Sequence, residues 1–244
     1  MKLEKIDDFD VAVIIPTLNE EKNIGNVILE LKKIGYNNIL IIDGNSQDKT
    51  IEVAKEHDVN IIVQDKMGKG AALRQAFNHS GLNGQAIVMM DADGSMNPEE
   101  IPLLIRSLNS NADLVKGSRF LLSGYSEDMN LIRRIGNQFF VLLVNLFWST
   151  DYTDLCYGFA AFRRTALEKL RLHLKSSSFE IETEVFIKAK KLGLTIVETP
   201  SIELRRRHGK SNLRIFRDGF RILRVIIEEL VNRDMTKKCN RYLT

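Results

Sequence analysis

The sequence holds only two cysteines, Cys156 and Cys239, too few for a disulfide framework and without zinc-ligand spacing. That scarcity points to a reducing compartment. The opening Met1-Lys-Leu-Glu-Lys-Ile-Asp-Asp has no apolar core of the signal-peptide kind, so secretion is not expected. No stretch reaches the ~20 apolar residues that span a bilayer. The nearest approach, Phe139 to Trp148 (FFVLLVNLFW), is half that length, contains Asn145, and reads as a buried or interfacial helix. The pattern G-x-x-x-x-G-K-[S/T] is missing, which excludes a Walker phosphate loop. The first apolar run is not followed by G-x-G-x-x-G, which argues against a dinucleotide-binding domain. There is no internal repeat, low-complexity tract or clear linker.

What remains is an ordinary soluble composition, 44% apolar and 27% charged. At 244 residues it suffices for one large α/β domain with a full core. The net charge of +3 conceals an asymmetry. Arg205 to Arg224 carries eight Lys/Arg against the single Asp218, so the rest of the chain is net acidic. A basic C-terminal segment on an acidic body fits an anionic partner: phosphate, lipid headgroup or nucleic acid.

Up to Arg119, short β-branched runs alternate with helical-period segments, the pattern of βαβ units on a mostly parallel sheet. The expected strands are Val11–Ile15, Ile39–Ile42, Ile61–Val63, Ala86–Met90 and Leu114–Val115. Ile24, Val27, Ile28, Leu31 and Ile34 recur at helical spacing before Gly35, and Asp48, Gly70 and Pro98 stand where later helices should begin. Beyond Arg119 a polar stretch leads to a helix expected at Arg133–Leu146. A strand near Phe159–Phe162, a helix at Glu182–Leu192 and a strand at Thr195–Val197 follow. The last helix, Leu213–Val231, sets Ile215, Phe220, Leu223, Ile226, Ile227 and Leu230 broadly on one side. Arg214, Arg217, Arg221 and Arg224 form a basic stripe along it. The expected division is therefore 1–212 and 213–244.

Ligands of an open parallel sheet bind beyond the carboxyl ends of its strands. Four polar clusters fall there: Pro16-Thr-Leu-Asn-Glu20, Asp43-Gly-Asn-Ser-Gln-Asp48, Gly68-Lys-Gly70 and Asp91-Ala-Asp-Gly94. Asp91 and Asp93 are two apart and face the same way on extended chain. Carboxylates converging at ~4–6 Å repel unless a cation lies between them. Mg²⁺ or Mn²⁺ takes such oxygen ligands and keeps positions open for substrate phosphates. An Asp/Gly turn closing the strand is the competing reading; the preceding run Ile87-Val-Met-Met90 favours the metal. Lys69, at a helix start between two glycines, reads either as an anion ligand aided by free backbone N–H groups or as a solvated turn lysine.

The order P-T-L-N-E (16–20), I-I-D-G-N-S-Q-D-K-T (41–50), G-K-G-A-A-L (68–73), D-A-D-G-S (91–95) and G-S-R (117–119) resembles the family 2 inverting glycosyltransferases. D-L-C-Y-G-F-A-A-F-R-R (154–164), F-E-I-E-T-E (179–184) and the basic run 205–211 are similar to the polyprenol-phosphate sugar transferases, the dolichol-phosphate-mannose synthase group. The resemblance implies a GT-A-type α/β domain that binds a nucleotide sugar, with a mostly parallel central sheet flanked by helices and a C-terminal amphipathic helix. It implies that Pro16, Leu18, Glu20 and Asp43 line the nucleobase and ribose pocket, with Lys69 near the base or ribose. Asp91 and Asp93 would hold a Mg²⁺ or Mn²⁺ ion and the donor diphosphate, and Arg205, Arg207 and Ser211 would lie in a basic loop able to close over it. Arg119, Arg133 and Asn137 fall where acceptor-phosphate contacts are expected, and Asp91, Asp93 and Arg119 form the implied catalytic set. Ser95, Asn137 and Asn212 depart from residues common in the family, Gln, Ser and Lys respectively.

The implied reaction is metal-dependent, inverting transfer of one hexose-type sugar from a GDP- or UDP-linked donor to polyprenyl or dolichyl phosphate. A lipid phosphate is already ionised at neutral pH and attacks without a general base. Catalysis then rests on positioning and on neutralising the leaving diphosphate, a task suited to Arg. The implied partners are the donor, the lipid phosphate, the membrane surface on its cytoplasmic face and a membrane-embedded subunit. A saccharide or small hydroxyl acceptor is the first alternative; one of Glu180, Glu182, Glu184 or Asp154 would then act as base. A non-catalytic nucleotide- or nucleic-acid-binding module is the second. Nucleic acid is not expected, because the basic segment offers only Phe216 and Phe220 for stacking bases.

Overall fold

A computed structural model describes residues 10–232. The amino-terminal segment read for a leader, Cys239 and the outer ends of the two expected parts lie outside the described residues. The first half runs β1 (Val11–Thr17), α1 (Ile24–Lys33), β2 (Ile39–Asp43), α2 (Thr50–Lys55), β3 (Asn60–Val63), α3 (Lys69–Phe77), β4 (Ala86–Met89), α4 (Ile101–Asn109) and β5 (Leu114–Ser118). The second half runs β6 (Tyr125–Ser126), α5 (Leu131–Trp148), β7 (Ala160–Arg163), α6 (Arg164–Leu170), α7 (Ile181–Lys191), β8 (Ile196–Pro200), β9 (Ile202–Glu203) and α8 (Ile215–Val231).

Seven strands form one sheet in the order β3-β2-β1-β4-β7-β5-β8, parallel except for β7. Strand side chains alternate between faces, so each strand feeds two cores. Val11, Val13, Ile15, Ile41 and Val88 pack beneath α1 and α4. Ala12, Ile14, Ile42, Ile87 and Met89 face the layer built from α3 and α5–α8. Burial on both faces explains the near-continuous apolar runs of the sequence.

Two features of this topology create a site. The chain leaves β1 in one direction towards β2 and β3, while β4 lies on the other side of β1, so a crevice opens beyond the carboxyl ends of β1 and β4. Because β7 runs antiparallel, the segment entering it, residues 154–159, sits at that same edge; Gly117 N donates to Phe159 O at 2.8 Å. The small parallel pair β6–β9 then delivers the basic loop to the crevice.

α5 begins at an Asn130 cap whose side chain accepts from Arg133 N. It buries Phe140, Val141 and Val144 but exposes Leu131, Ile135, Phe139, Leu142 and Leu146 at three- and four-residue steps. α8 inserts Ile222 and Ile226 into the shared core, and Glu229 pins it to α7 through Lys188 at 2.8 Å and Lys191 at 2.9 Å. α8 is amphipathic as expected, but only part of its apolar side is covered: Phe220 is 74% and Ile227 51% exposed. The arginine stripe is partly neutralised, since Arg221 pairs with Asp218 at 3.3 Å and Arg224 with Glu228 at 2.6 Å. Among the described residues, no helix is long and apolar enough to cross a membrane.

Candidate active site

A cleft of about 220 Å³ opens at the crevice. Pro16, Leu18 and Glu20 line it from the loop after β1, and Gly44 and Gln64 from those after β2 and β3. Asp91, Asp93 and Ser95 follow β4, and Arg133 reaches in from α5.

Asp91 and Asp93 both line this cleft, although the chain there is a turn and not extended as expected. Gly94 adopts φ 74°, and Asp93 Oδ1 accepts from Ser95 N at 3.0 Å, fixing the turn. Each carboxylate already faces a basic side chain: Lys69 lies 2.6 Å from Asp91, and Arg206 lies 2.8 Å from Asp93. Two carboxylates that each draw a cation on one cleft wall suit a divalent ion. Among the described residues no cluster of three or more His, Cys, Asp or Glu could enclose a metal. Asp91 and Asp93 with water and donor phosphates fit the Mg²⁺ pattern of few protein ligands.

Lys69, expected near the base or ribose, lines the same cleft as Pro16, Leu18 and Glu20. It opens α3 and spans Asp91 and Glu182, the latter at 2.7 Å. Burial favours the neutral amine, but Asp91 and Glu182 outweigh it and hold Lys69 charged. Burial pushes the Glu182 carboxyl up, with Lys69 acting in the opposite sense. The flanking glycines serve packing: a Cβ on Gly68 would lie 2.1 Å from the Ser177 carbonyl oxygen, and one on Gly70 2.7 Å from that of Ser176.

Three further expectations meet different geometry. Asp43 is fully buried and spends its carboxylate on Thr17 Oγ1 at 3.1 Å, Ser46 N at 2.8 Å and Ser46 Oγ at 2.7 Å. It braces the turn after β2 and is not among the residues lining the cleft. Arg119 is enclosed: Nε and Nη2 bond Asp154 at 2.7 and 2.9 Å, Nη1 bonds both Glu203 oxygens at 3.2 Å, and Nη2 also bonds Cys156 O at 2.9 Å. Those bonds occupy the guanidinium that was expected to meet an acceptor phosphate. Asn137 is buried and its Oδ1 accepts from Leu155 N and Cys156 N at 3.1 and 3.0 Å, shaping the 154–157 turn.

Of the acceptor trio, Arg133 alone lines the cleft, paired loosely with Asp128 at 3.3 Å. In the basic loop, Ser211 lines the cleft while Arg205 and Arg207 do not; Arg205 is exposed and Arg207 pairs with Glu30 at 2.7 Å. The intervening Arg206, which sequence reasoning passed over, bridges Glu20 at 2.7 Å and Asp93. Three consecutive arginines in an irregular loop carry no periodicity that would rank them. Tyr157 was also missed; it lines the cleft with its ring centroid 4.6 Å from the Arg119 guanidinium carbon. Burial pushes the Cys156 thiol up to about 12, so it stays protonated and is no nucleophile.

The family model for glycosyl transferase family 2 matches residues 12–171. The chain is 30% identical to the UDP-N-acetylglucosamine–dolichyl-phosphate N-acetylglucosaminyltransferase of Methanococcus voltae, covering 78% of this chain and 84% of that protein. It is 28% identical to the dolichyl-phosphate hexose transferase of Haloferax volcanii, covering 90% of this chain and 93% of that one. Glucosyl-3-phosphoglycerate synthase of Mycobacterium tuberculosis, crystallised with Mn²⁺, UDP-glucose and phosphoglyceric acid, shares the fold with a TM-score of 0.72 at 20% identity, over 91% of this chain and 80% of that one. The fold, the strand-end cleft and the family match agree: this chain belongs to glycosyl transferase family 2 and is a glycosyltransferase on a GT-A scaffold.

Proposed function

We propose that the enzyme transfers one hexose-type sugar, with inversion, from a GDP- or UDP-linked donor to a polyprenyl or dolichyl phosphate at a membrane surface. The observation that carries this reading is the junction at Arg133. Arg133 lines the donor cleft, yet belongs to α5, whose neighbouring Leu131, Ile132 and Ile135 are exposed. A lipid phosphate bound by Arg133 would keep its charge in the cleft and its tail along that apolar surface. The names of the two archaeal relatives point to the same acceptor class.

The ion pairing of two of the four candidate acids supports a phosphate nucleophile. Asp154 is locked on Arg119, and Glu182 on Lys69, so neither is free to take a proton from a sugar hydroxyl. An ionised phosphate needs no such base. In this reading Pro16, Leu18 and Gln64 line the nucleoside end of the cleft, and Asp91 and Asp93 hold Mg²⁺ or Mn²⁺. When bound, the cation supplies positive charge to the leaving diphosphate. Arg206 and the Ser211 segment flank the same diphosphate, where the guanidinium charge would offset the negative charge that develops on it. The exposed faces of α5 and α8 support peripheral docking on the cytoplasmic side of a membrane; a membrane-embedded subunit is the competing occupant.

The test presents radiolabelled UDP- and GDP-sugars to the purified enzyme with Mn²⁺, vesicles containing polyprenyl phosphate, and a panel of water-soluble saccharides. The reading expects label in the organic extract from one donor class. Label confined to water-soluble product would overturn the lipid acceptor.

A further inference from the structure

The loop from β9 to α8 is stitched across the Asp91–Ser95 turn. Leu204 N donates to Ser95 O at 2.8 Å and Arg207 N to Asp93 O at 3.2 Å. Asn23 Nδ2 donates to His208 O at 3.1 Å, and Arg207 holds Glu30 at 2.7 Å. Gly94 permits this closeness, since a Cβ there would meet the Arg207 Nε at 2.7 Å. Beneath the strap, Arg206 reaches both Glu20 at 2.7 Å and Asp93 at 2.8 Å with its side chain only 18% exposed. Lys69 spans Asp91 and Glu182 in the same manner. Both carboxylates suited to a metal are therefore already neutralised by the chain itself.

Such a site is a poor ligand for a free divalent ion, which would have to displace a well-formed, partly buried ion pair. A donor changes the balance. A diphosphate offers the planar guanidinium fork a bidentate anionic partner, and Arg206 can then leave Asp93 without losing its charge pairing. We propose that Arg206 is an internal stand-in for the divalent cation: it occupies Asp93 until a donor diphosphate draws it away, so that cation and donor bind cooperatively. This rests on the reading of the cleft as the donor and metal site. By linkage, whatever factor the nucleotide adds to cation affinity, the cation adds to nucleotide affinity.

The test needs neither acceptor nor turnover: Mn²⁺ binding is followed by electron paramagnetic resonance, with and without UDP or GDP. In the wild type, the nucleotide should tighten Mn²⁺ about tenfold or more, within the usual range of coupling. Arg206→Gln should bind Mn²⁺ alone about tenfold more tightly than wild type and lose most of the coupling. Arg206→Lys, which keeps the charge but not the fork, should show the same change to a smaller extent. Arg207→Gln removes the Glu30 pair but keeps the backbone bond to Asp93 O and the Arg206–Asp93 contact, and should leave Mn²⁺ affinity unchanged. Unchanged or weaker Mn²⁺ binding by folded Arg206→Gln, or an equal gain in Arg207→Gln, would overturn the proposal. Wild-type protein that binds both ligands independently defeats the stand-in role alone; protein that binds neither defeats the reading of the cleft as well.

Discussion

Asp154 shows how a carboxylate can look catalytic in sequence and serve another end in the fold. It is wholly buried against Arg119, whose remaining bonds go to Glu203 and the Cys156 carbonyl. Removing one member of a buried pair strands the other charge, so Asp154→Ala should cost about 3–5 kcal/mol of stability. Burial acts to raise the Asp154 pKa, but the Arg119 guanidinium, helped by Lys116, outweighs it and leaves it lowered. A carboxylate held below its unfolded value of about 3.9 stabilises fully above that pH, and the contribution is lost as pH falls through the folded value. Urea unfolding from pH 7 to 3 should therefore show the wild type converging on Asp154→Asn below about pH 4. A constant difference across that range would contradict the ion pair. Asp43 teaches the same lesson: a strand-end Asp can spend itself on its own turn, and no spacing distinguishes that from a ligand contact.

Elements were legible where burial imposed a period. The five strands expected from apolar runs became β1–β5, because central parallel strands are covered on both faces. β6 and β9 were not, since two-residue strands carry no period. α6 follows β7 without a spacer, at Arg163–Arg164, and leaves no turn signal to mark it. The outward position of Phe220 and Ile227 on α8 was hidden for a different reason: helical spacing gives a face but not what covers it. That exposed face, with the stripe on α5, motivates a prediction at this scale. Vesicle flotation should rise with anionic lipid and fall with salt, each basic residue near the surface contributing ~1 kcal/mol. It should drop when Arg217, Arg221 and Arg224 become Glu, and drop again when Phe139 and Leu142 become Ser. Because Arg221 and Arg224 are already paired within α8, the apolar substitutions should cost as much as the charge reversals. Flotation indifferent to both sets would leave a membrane-embedded subunit as the occupant of this face.

Across the whole molecule, the edge of the sheet that carries the site was readable, because polar clusters ending successive apolar runs must converge once the strands lie parallel. The pairings within it were not. Lys69 meets Glu182 across 113 residues and Arg206 meets Glu20 across 186, distances over which no local pattern survives. The antiparallel β7, which brings Tyr157 to the cleft, is likewise a property of the assembled sheet. In the proposed reaction a phosphate, not a hydroxyl, attacks the sugar at the Asp91–Asp93 cleft. The direct measurement offers polyprenyl phosphate and the matching polyprenol side by side, with one labelled nucleotide sugar and Mn²⁺. Label is expected on the phosphate alone, lost in excess EDTA and reduced by at least about a hundredfold in folded Asp93→Ala. Equal labelling of the free polyprenol, or near-normal transfer by Asp93→Ala, would contradict it.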